Sequence, residues 1–246
     1  MDDIRVGIFG IDGKMGSEVA RAVTAAPGLS LVGGVDFGDD RDALLDAQVV
    51  VDFTHPESVM GNLEWAFANG IHQVVGTTGF NASRLDQVRA WCAANPAVGT
   101  LIASNFSVGA VLMMKFAELA APFFPSVEIV ELHHAGKAEA PSGTATTTAH
   151  RIGAARAEAR MGPVPDATVQ DGGARGAVVD GVHIHGVRLQ GLVAHQEVLL
   201  GTLGETLTIR HDSYDRVSFM PGVVAGIRHV VGHPGLTEGI DGVLGL

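Results

Sequence analysis

The sequence predicts an α/β protein in two parts. The first is an N-terminal doubly wound parallel sheet, and the second is an α+β domain built on a mostly antiparallel sheet. Short apolar runs alternate with helical stretches through the first part, which is typical of parallel strands joined by crossover helices. Three later apolar runs, at 182–189, 194–200 and 205–211, are separated only by short glycine-bearing turns. That pattern is typical of antiparallel strands.

Composition limits the classes of function. The chain has 246 residues, of which 46% are hydrophobic, and a formal net charge of −11. It is long enough for one large or two modest domains, and its acidity disfavours a nucleic-acid partner. The single cysteine, Cys92, is expected to be a core thiol in a reducing compartment. No signal peptide or long apolar run is visible, so we expect a cytoplasmic protein without a membrane partner.

The N-terminus carries a glycine-rich loop in a characteristic setting. A strand is predicted over 4–9, the loop Gly10-Ile-Asp-Gly-Lys-Met-Gly16 follows, and a helix comes next. The second predicted strand, 29–35, ends at Asp36. Such glycines allow a tight turn, close approach of backbone N–H groups to a pyrophosphate and close helix packing, while the acidic residue binds the ribose. The context predicts a Rossmann domain for a dinucleotide, although a glycine-rich turn without ligand is the alternative.

Three more strands complete the predicted parallel sheet, at 48–53, 73–75 and 100–103. One helix is expected to open at Thr54-His-Pro56 with Val59, Leu63 and Phe67 buried, and another to run from Asn81 to Asn95. The carboxyl ends of parallel strands meet at one edge, where ligands bind. The predicted cofactor edge therefore comprises Gly10–Gly16, Asp36, Thr54–His55, Gly76–Thr78 and Ala103–Phe106.

The second half begins with a predicted helix over 107–124 that has Val108, Leu112, Phe116 and Leu119 on one face. A strand over 127–132, a helix from Ser142 or Gly143 to about 160, and a long loop over 161–181 follow. A last helix, 218–231, is expected to pack back on the first domain. The predicted domains are residues 1–106 with 214–246, and residues 107–213.

The stretch Glu131–Ala145 is the predicted chemical centre. His133 and His134 titrate near neutral pH, Lys137 is a cation that can give a proton, and Ser142-Gly-Thr144 opens a helix whose N–H groups suit an anion. Each part also has a structural explanation, as a packing pair of histidines or as a helix cap. Adjacent strand residues point to opposite faces, so chelation by both histidines is disfavoured and no metal is expected.

These motifs resemble the 4-hydroxy-tetrahydrodipicolinate (dihydrodipicolinate) reductase family of bacterial lysine and diaminopimelate biosynthesis. The resemblance rests on His-His-x-x-Lys-x-acid-Ala-Pro-Ser-Gly-Thr-Ala and Gly-x-x-Gly-Lys-Met-Gly, and it covers nearly the whole chain. It extends to Val51–His55, Gly76–Gly79, Gly173–Gly176 and Val187–His195. Two positions depart from the family pattern: Glu139 stands where aspartate is usual, and Ser104 where proline is usual.

The resemblance implies NAD(P)H-dependent reduction of a small dicarboxylate by a homotetramer whose antiparallel sheets meet between subunits. It implies acid–base roles for His133 and Lys137. It assigns the substrate's carboxylates to His134, Ser142, Gly143 and Thr144. It assigns the cofactor to Gly10, Ile11, Asp12, Gly13, Lys14, Met15, Gly76, Thr77, Thr78, Ala103, Ser104, Asn105 and Phe106, and Asp36 joins this set through its place after the second strand.

The choice between NADH and NADPH stays open at this stage. Asp36 favours NADH because it repels a 2′-phosphate, whereas Lys14 and Arg41 could neutralise one, so we expect both cofactors to work. Two other functions compete: a different reductase with a Rossmann domain, and a sensor that binds the cofactor without turnover. The first would lack the lysine four residues after a histidine and the Pro-Ser-Gly-Thr turn.

Overall fold

The computed structural model describes residues 2–169 and 172–246. The chain divides into two compact units, residues 1–108 with 216–246 and residues 109–215. The predicted loop 161–181 contains residues 170 and 171, which lie outside the described residues. In the part of the chain that is described, no helix is both long enough and apolar enough to cross a membrane.

In the part of the chain that the structure describes, eleven strands and six α-helices form the two units. In chain order, β1 to β11 are Ile4–Phe9, Leu29–Val35, Val49–Asp52, His72–Val75, Gly99–Ile102, Ser126–His133, Ala177–Val179, Val182–Arg188, Ala194–Thr202, Glu205–Ser213 and Gly235–Glu238. The helices α1 to α6 are Gly16–Ala25, Val59–Ala68, Ala82–Ala94, Val108–Ala120, Gly143–Glu158 and Met220–Gly232. Short 3-10 turns lie at Arg41–Leu44, Ala121–Phe123, Arg216–Phe219 and Gly242–Leu244.

The first unit contains a six-stranded sheet in the order β11-β5-β4-β3-β1-β2, and every neighbouring pair is parallel. Helices cover both faces of such a sheet, so its strands are nearly continuous in apolar residues. All four residues of β3, Val-Val-Val-Asp, are buried, as are those of β5. The predicted doubly wound parallel sheet is confirmed.

Helix α2 begins later than the sequence predicts. Its buried stripe is the predicted one, Val59, Leu63 and Phe67. Residues 56–58 form a turn instead of the first helical turn, because the N–H groups of Ser58 and Val59 both donate to the carbonyl of His55, at 3.0 and 3.1 Å. Helix α3 starts as predicted, with the Asn81 side chain accepting a hydrogen bond from the Arg84 N–H at 2.9 Å.

The C-terminal segment adds an element that the sequence analysis missed. Helix α6 contacts β3, β4 and β5, so its predicted return to the first domain is confirmed. Strand β11 then pairs in parallel with β5 as the sixth strand of the sheet. Its sequence, Gly-Leu-Thr-Glu, has one large apolar residue and therefore no visible strand pattern.

The second unit contains a five-stranded sheet in the order β10-β9-β6-β8-β7. Three of its four pairings are antiparallel, which confirms the mostly antiparallel prediction, but β6 and β8 are parallel. Strand β7 lies in the stretch that we predicted to be loop. Helix α5 packs on the inner face, where the core includes Val127, Ile129, Ile152, Ile184 and Leu200.

The face of α4 that residue spacing marked as apolar points outwards in the structure. The side chains of Phe116 and Leu119 are 49% and 57% exposed. The buried face consists of Ala110, Val111, Met113, Met114 and Ala117. Apolar residues occur all round this helix, so spacing alone did not identify the buried side.

Candidate active site

The glycine-rich loop joins β1 to α1 in a tight turn. Gly10 has a φ of +79°, and its N–H donates to the carbonyl of Val35 at 2.7 Å. A Cβ on Gly16 would lie 1.9 Å from the carbonyl oxygen of Gly10, so only glycine fits there. Met15, the N-cap of α1, makes no side-chain hydrogen bond to the helix. The start of α1 is therefore suited to a phosphate, since helix N-termini present N–H groups and positive potential.

A cavity of about 560 Å³ opens beside this loop. Its lining includes Gly10, Gly13, Asp36 and Arg41. Asp36 is held at the end of β2 because its carboxylate accepts a hydrogen bond from the Asp12 N–H at 2.9 Å. Three further acidic residues line the same cavity, namely Asp39, Asp40 and Asp42. The structure therefore brings the predicted ribose-binding carboxylate and the predicted phosphate loop together, in strongly acidic surroundings.

The loops after β3 and β4 are tied together by Asp52, a residue that the sequence analysis did not assign. Its carboxylate is buried and accepts hydrogen bonds from the Thr54 N–H at 2.8 Å, the Thr54 hydroxyl at 2.7 Å and the Thr77 hydroxyl at 2.8 Å. The Asn62 side chain donates to its second oxygen at 2.8 Å. Buried carboxylates are costly unless hydrogen-bonded, so Asp52 fixes both loops through this set of donors.

Asp52→Asn is expected to lower the free energy of unfolding by about 1.5–3 kcal/mol, the usual contribution of hydrogen bonds to a charged group. The amide nitrogen that replaces one oxygen has no acceptor capacity for these donors. Urea unfolding measures the loss. Asp86→Asn is the matched control, because Asp86 is exposed on α3 and pairs with Arg89 at the surface. Equal stability of the two variants would contradict a holding role for Asp52.

The remaining predicted cofactor residues lie at the ends of β4 and β5, which are neighbours in the sheet. Gly76 leaves room for the ring of Phe53, which would lie 2.0 Å from a Cβ at that position. The rings of Phe53 and Phe106 are 5.7 Å apart, and Phe106 is buried. Thr78 and Ser104 are exposed, and Asn105 accepts a hydrogen bond from the Ser107 N–H at 2.8 Å. The first unit thus provides a glycine loop, a ribose carboxylate and adjoining strand ends, which fit a nicotinamide dinucleotide.

His133 is the last residue of β6 and faces a buried carboxylate. Its ring Nδ1 lies 2.5 Å from an oxygen of Glu131, which is fully buried. Arg188, the last residue of β8, binds both oxygens of Glu131 with two guanidinium nitrogens, at 2.9 and 2.8 Å. The parallel register places His133 directly beside Arg188. The structure therefore forms a His–Glu–Arg cluster at the end of two neighbouring strands.

Burial and neighbouring charges shift the pKa values of both Glu131 and His133. Burial alone raises the pKa of Glu131, but hydrogen bonds from Arg188 and His133 outweigh it and hold this pKa below its ordinary value. Burial lowers the pKa of His133, and the charges of Lys137 and Arg188 lower it further against the opposing effect of Glu131. We therefore expect a neutral His133 ring and an ionised Glu131 at pH 7.

Lys137 lies in the loop after β6. Its N–H donates to the His134 carbonyl at 3.1 Å, and its ammonium contacts a carboxylate oxygen of Glu139 at 3.1 Å. The Glu139 side chain is 80% exposed, so this ion pair is largely screened by solvent. The departure from the family pattern at Glu139 therefore lies at the surface and leaves Lys137 with a weak, breakable partner.

The predicted anion site is the start of α5. Ser142 is its N-cap, and its hydroxyl oxygen accepts a hydrogen bond from the Ala145 N–H at 3.2 Å. A Cβ on Gly143 would meet nothing within 4 Å, so the space beside this residue is open. Thr144 accepts a hydrogen bond from the Thr148 hydroxyl through its carbonyl. His134 is anchored through its N–H to the carbonyl of Val193 at 3.3 Å.

The sequence analysis gave no role to two residues of this site, Arg188 and Glu131. Arg188 lies 57 positions after Glu131, and one sequence does not reveal that β6 and β8 pair in parallel. Glu131 was inside the selected stretch, and its spacing of two from His133 on a strand was a usable signal for a shared face. Among the described residues, no group of three or more His, Cys, Asp or Glu side chains is arranged to hold a metal ion.

Comparisons with known proteins agree with this geometry. Two protein-family models match, "Dihydrodipicolinate reductase, N-terminus" over residues 4–106 and "Dihydrodipicolinate reductase, C-terminus" over residues 109–244. The chain belongs to the dihydrodipicolinate reductase family. The resemblance derived from the sequence motifs is therefore confirmed, as are the nicotinamide-dependent oxidoreductase class and the two fold types.

Individual members of the dihydrodipicolinate reductase family are similar along the whole chain. The 4-hydroxy-tetrahydrodipicolinate reductases of Cutibacterium acnes and Nocardia farcinica are each 60% identical, over 99% of this chain and 99% of theirs. A dipicolinate-bound dihydrodipicolinate reductase from Paenisporosarcina sp. TG-14 superposes with a TM-score of 0.87 at 39% identity, covering 98% of this chain and 99% of that one.

Proposed function

We infer that this chain reduces 4-hydroxy-tetrahydrodipicolinate to tetrahydrodipicolinate with a nicotinamide cofactor and with loss of the hydroxyl group as water, the reaction of its family in lysine and diaminopimelate biosynthesis. The observation that carries this proposal is the His133–Thr144 stretch, in which a half-buried histidine paired with a carboxylate, a lysine and an open helix start follow one another. The cavity beside the glycine-rich loop of the first unit, lined by Gly10, Gly13 and Asp36, supports it. When bound, the cofactor supplies the hydride.

We propose that the first unit binds the cofactor through its strand ends. The loop Gly10–Met15 and the start of α1 hold the pyrophosphate, and Asp36 binds the ribose hydroxyls. The nicotinamide half is held by Gly76–Thr78 and Ala103–Phe106, the loops that Asp52 and Phe106 anchor. We accordingly assign residues 1–106 with 214–246 to cofactor binding, and residues 107–213 to substrate binding and oligomerisation.

We propose that Lys137 donates the proton that completes the reduction. A neutral imidazole ring lacks the second proton that an acid would donate. The lowered pKa of His133 therefore suits this ring to orient the substrate and to accept a proton. The substrate's carboxylates bind to His134, Gly143 and Thr144, and Ser142 holds the helix start through its cap. Fixing both carboxylates sets the position of the reacting ring.

The acidic cavity leads us to propose that both NADH and NADPH are accepted, with NADH favoured. Four carboxylates in the lining repel a 2′-phosphate, whereas the Arg41 guanidinium in the same lining attracts one. Asp36→Asn is expected to shift the ratio of kcat/KM values about 10-fold towards NADPH, because one unfavourable charge is removed while an oxygen remains. Parallel kinetics with the two cofactors measure the ratio. An unchanged ratio would show that Asp36 does not select the cofactor.

We propose a homotetramer, as the resemblance implies. The outward face of the second sheet includes Leu199, which is 38% exposed, next to the charged pair Glu197 and Arg210. Such a mixed surface is compatible with sheet-to-sheet packing between subunits. Light scattering of the purified chain measures the mass in solution. A monomer at micromolar concentration would remove this proposal.

The activity is tested by the loss of cofactor absorbance at 340 nm, with the substrate generated in situ by the preceding synthase. We expect absorbance to fall only when the synthase, its substrates and this chain are all present. A protein that binds NADH, seen as a change in cofactor fluorescence, but never oxidises it would be the sensor of the competing hypothesis. Decay that continues without the synthase product would point to another reductase.

A further inference from the structure

We propose that Glu131 and Arg188 are positioning residues that hold His133 and the Lys137 loop in one fixed arrangement. This proposal rests on the proposed function of His133 and Lys137, and it adds two residues to the machinery of the same site. Neither is expected to touch the reacting atoms. Their contribution is to set the ring of His133 and the backbone that carries Lys137 relative to each other.

The contacts of Arg188 support this role. Besides its two bonds to the Glu131 carboxylate, its guanidinium donates to the carbonyl of Lys137 at 3.3 Å and to that of Glu139 at 2.5 Å. A further bond goes to the carbonyl of Val187 at 2.8 Å. One rigid, planar group therefore bridges the partner of His133 and both sides of the lysine loop. Arginine suits this task because its donors form a fixed fork.

Glu131 transmits this arrangement to His133. Its carboxylate is fully buried, so its two oxygens depend on Arg188 and His133 for hydrogen bonds. A carboxylate facing Nδ1 favours the proton on that nitrogen in the neutral ring and leaves Nε2 as the acceptor. Glu131 thus selects the tautomer and the ring orientation, as carboxylates beside functional histidines commonly do.

The charges around His133 give this cluster a distinctive signature. The groups that act on its titration are Glu131, which favours the charged ring, and Lys137 and Arg188, which oppose it. Removing Glu131 must therefore lower the pKa of His133 further, and removing Arg188 must raise it. A residue that only stabilised the fold would produce neither shift.

The experiment compares Arg188→Gln and Glu131→Gln with Arg156→Gln. Arg156 is the matched control, because it is another arginine of the second unit, it is buried, and its guanidinium donates to the carbonyls of Phe124, Pro125 and Gly162. Each variant is measured for kcat, for KM of cofactor and substrate, for Tm, and for the NMR titration of His133. The His133 signal is identified among 11 histidines by its absence in His133→Gln.

We expect Arg188→Gln and Glu131→Gln each to lower kcat about 10-fold with little change in the KM for cofactor, because misplaced catalytic groups slow the chemical step. The His133 titration should move up in the first variant and down in the second. Arg156→Gln should lower Tm while keeping kcat and the His133 titration. The double variant Glu131→Gln/Arg188→Gln keeps the test open if a single variant fails to fold, since it leaves no unpaired buried charge.

Two results would overturn the proposal. One is a His133 titration and kcat that stay at wild-type values in either single variant. The other is a loss of kcat that follows Tm equally in the Arg188 and Arg156 variants. The failure of the proposed function is recognised separately, since wild-type protein would then show no substrate-dependent oxidation of NADH while the NMR titrations could still be read.

Discussion

Lys137→Ala is expected to lower kcat by about 10²–10⁴-fold, the usual scale for losing a general acid. The lysine is the proposed source of the proton, and its ammonium pairs with the exposed Glu139 carboxylate, so its loss should cost little stability. The KM for cofactor should be nearly unchanged. Steady-state kinetics at 340 nm measure the effect. The His133→Gln substitution is expected to lower kcat by a similar factor.

Lys115→Ala is the matched control for this prediction. Lys115 lies on α4 in the same unit and is likewise paired with a glutamate, Glu118, at 2.9 Å. We expect it to retain wild-type kcat. If Lys137→Ala also kept full kcat, the proton would have to come from another group or from water, and the role assigned to Lys137 would be wrong.

Gly16→Ala is expected to raise the dissociation constant of the cofactor about 100-fold. The new methyl group would lie 1.9 Å from the carbonyl oxygen of Gly10 and 2.8 Å from the Cα of Ile11. Both atoms belong to the backbone, so the loop itself must move. Overpacking of this kind costs about 1–3 kcal/mol, and a change of 1.4 kcal/mol is tenfold in affinity. Fluorescence titration with NADH measures the loss.

Gly232→Ala provides the comparison for Gly16→Ala. Gly232 ends α6, and a Cβ at that position would meet nothing within 4 Å. We expect its affinity for NADH to remain at the wild-type value. Equal affinity of the Gly16 variant would mean that the loop adapts without loss, and that close packing of α1 against β1 is not needed for binding.

The sequence predicted helices and strands correctly where the local residue pattern agreed with the contacts that each element makes in the fold. The parallel strands of the first unit are apolar throughout, and the caps at Asn81 and Ser142 lie where their residue types indicate. The strands that the sequence analysis missed are those whose formation depends on contacts between residues distant in the sequence. Strand β7 has only three residues and β11 has one large apolar residue, so neither is visible alone, and each pairs with a neighbouring strand.

The same distinction applies to the site. His133, Lys137 and the glycine loop are contiguous motifs and could be selected from sequence. Asp52 could not, because its donors come from positions 54, 62 and 77, which meet only in the folded sheet. Asp52 and Arg188 both bind partners that the spacing of residues in one sequence does not reveal.

The parallel pairing of β6 with β8 has a consequence for how the chain acquires activity. Parallel neighbours require a crossover connection, and here α5 lies between the two strands in sequence. A nascent chain that ends before residue 188 contains His133 and Lys137 but lacks the arginine that joins them. Formation of the His133–Glu131–Arg188 cluster must therefore await synthesis of β8 and closure of the crossover.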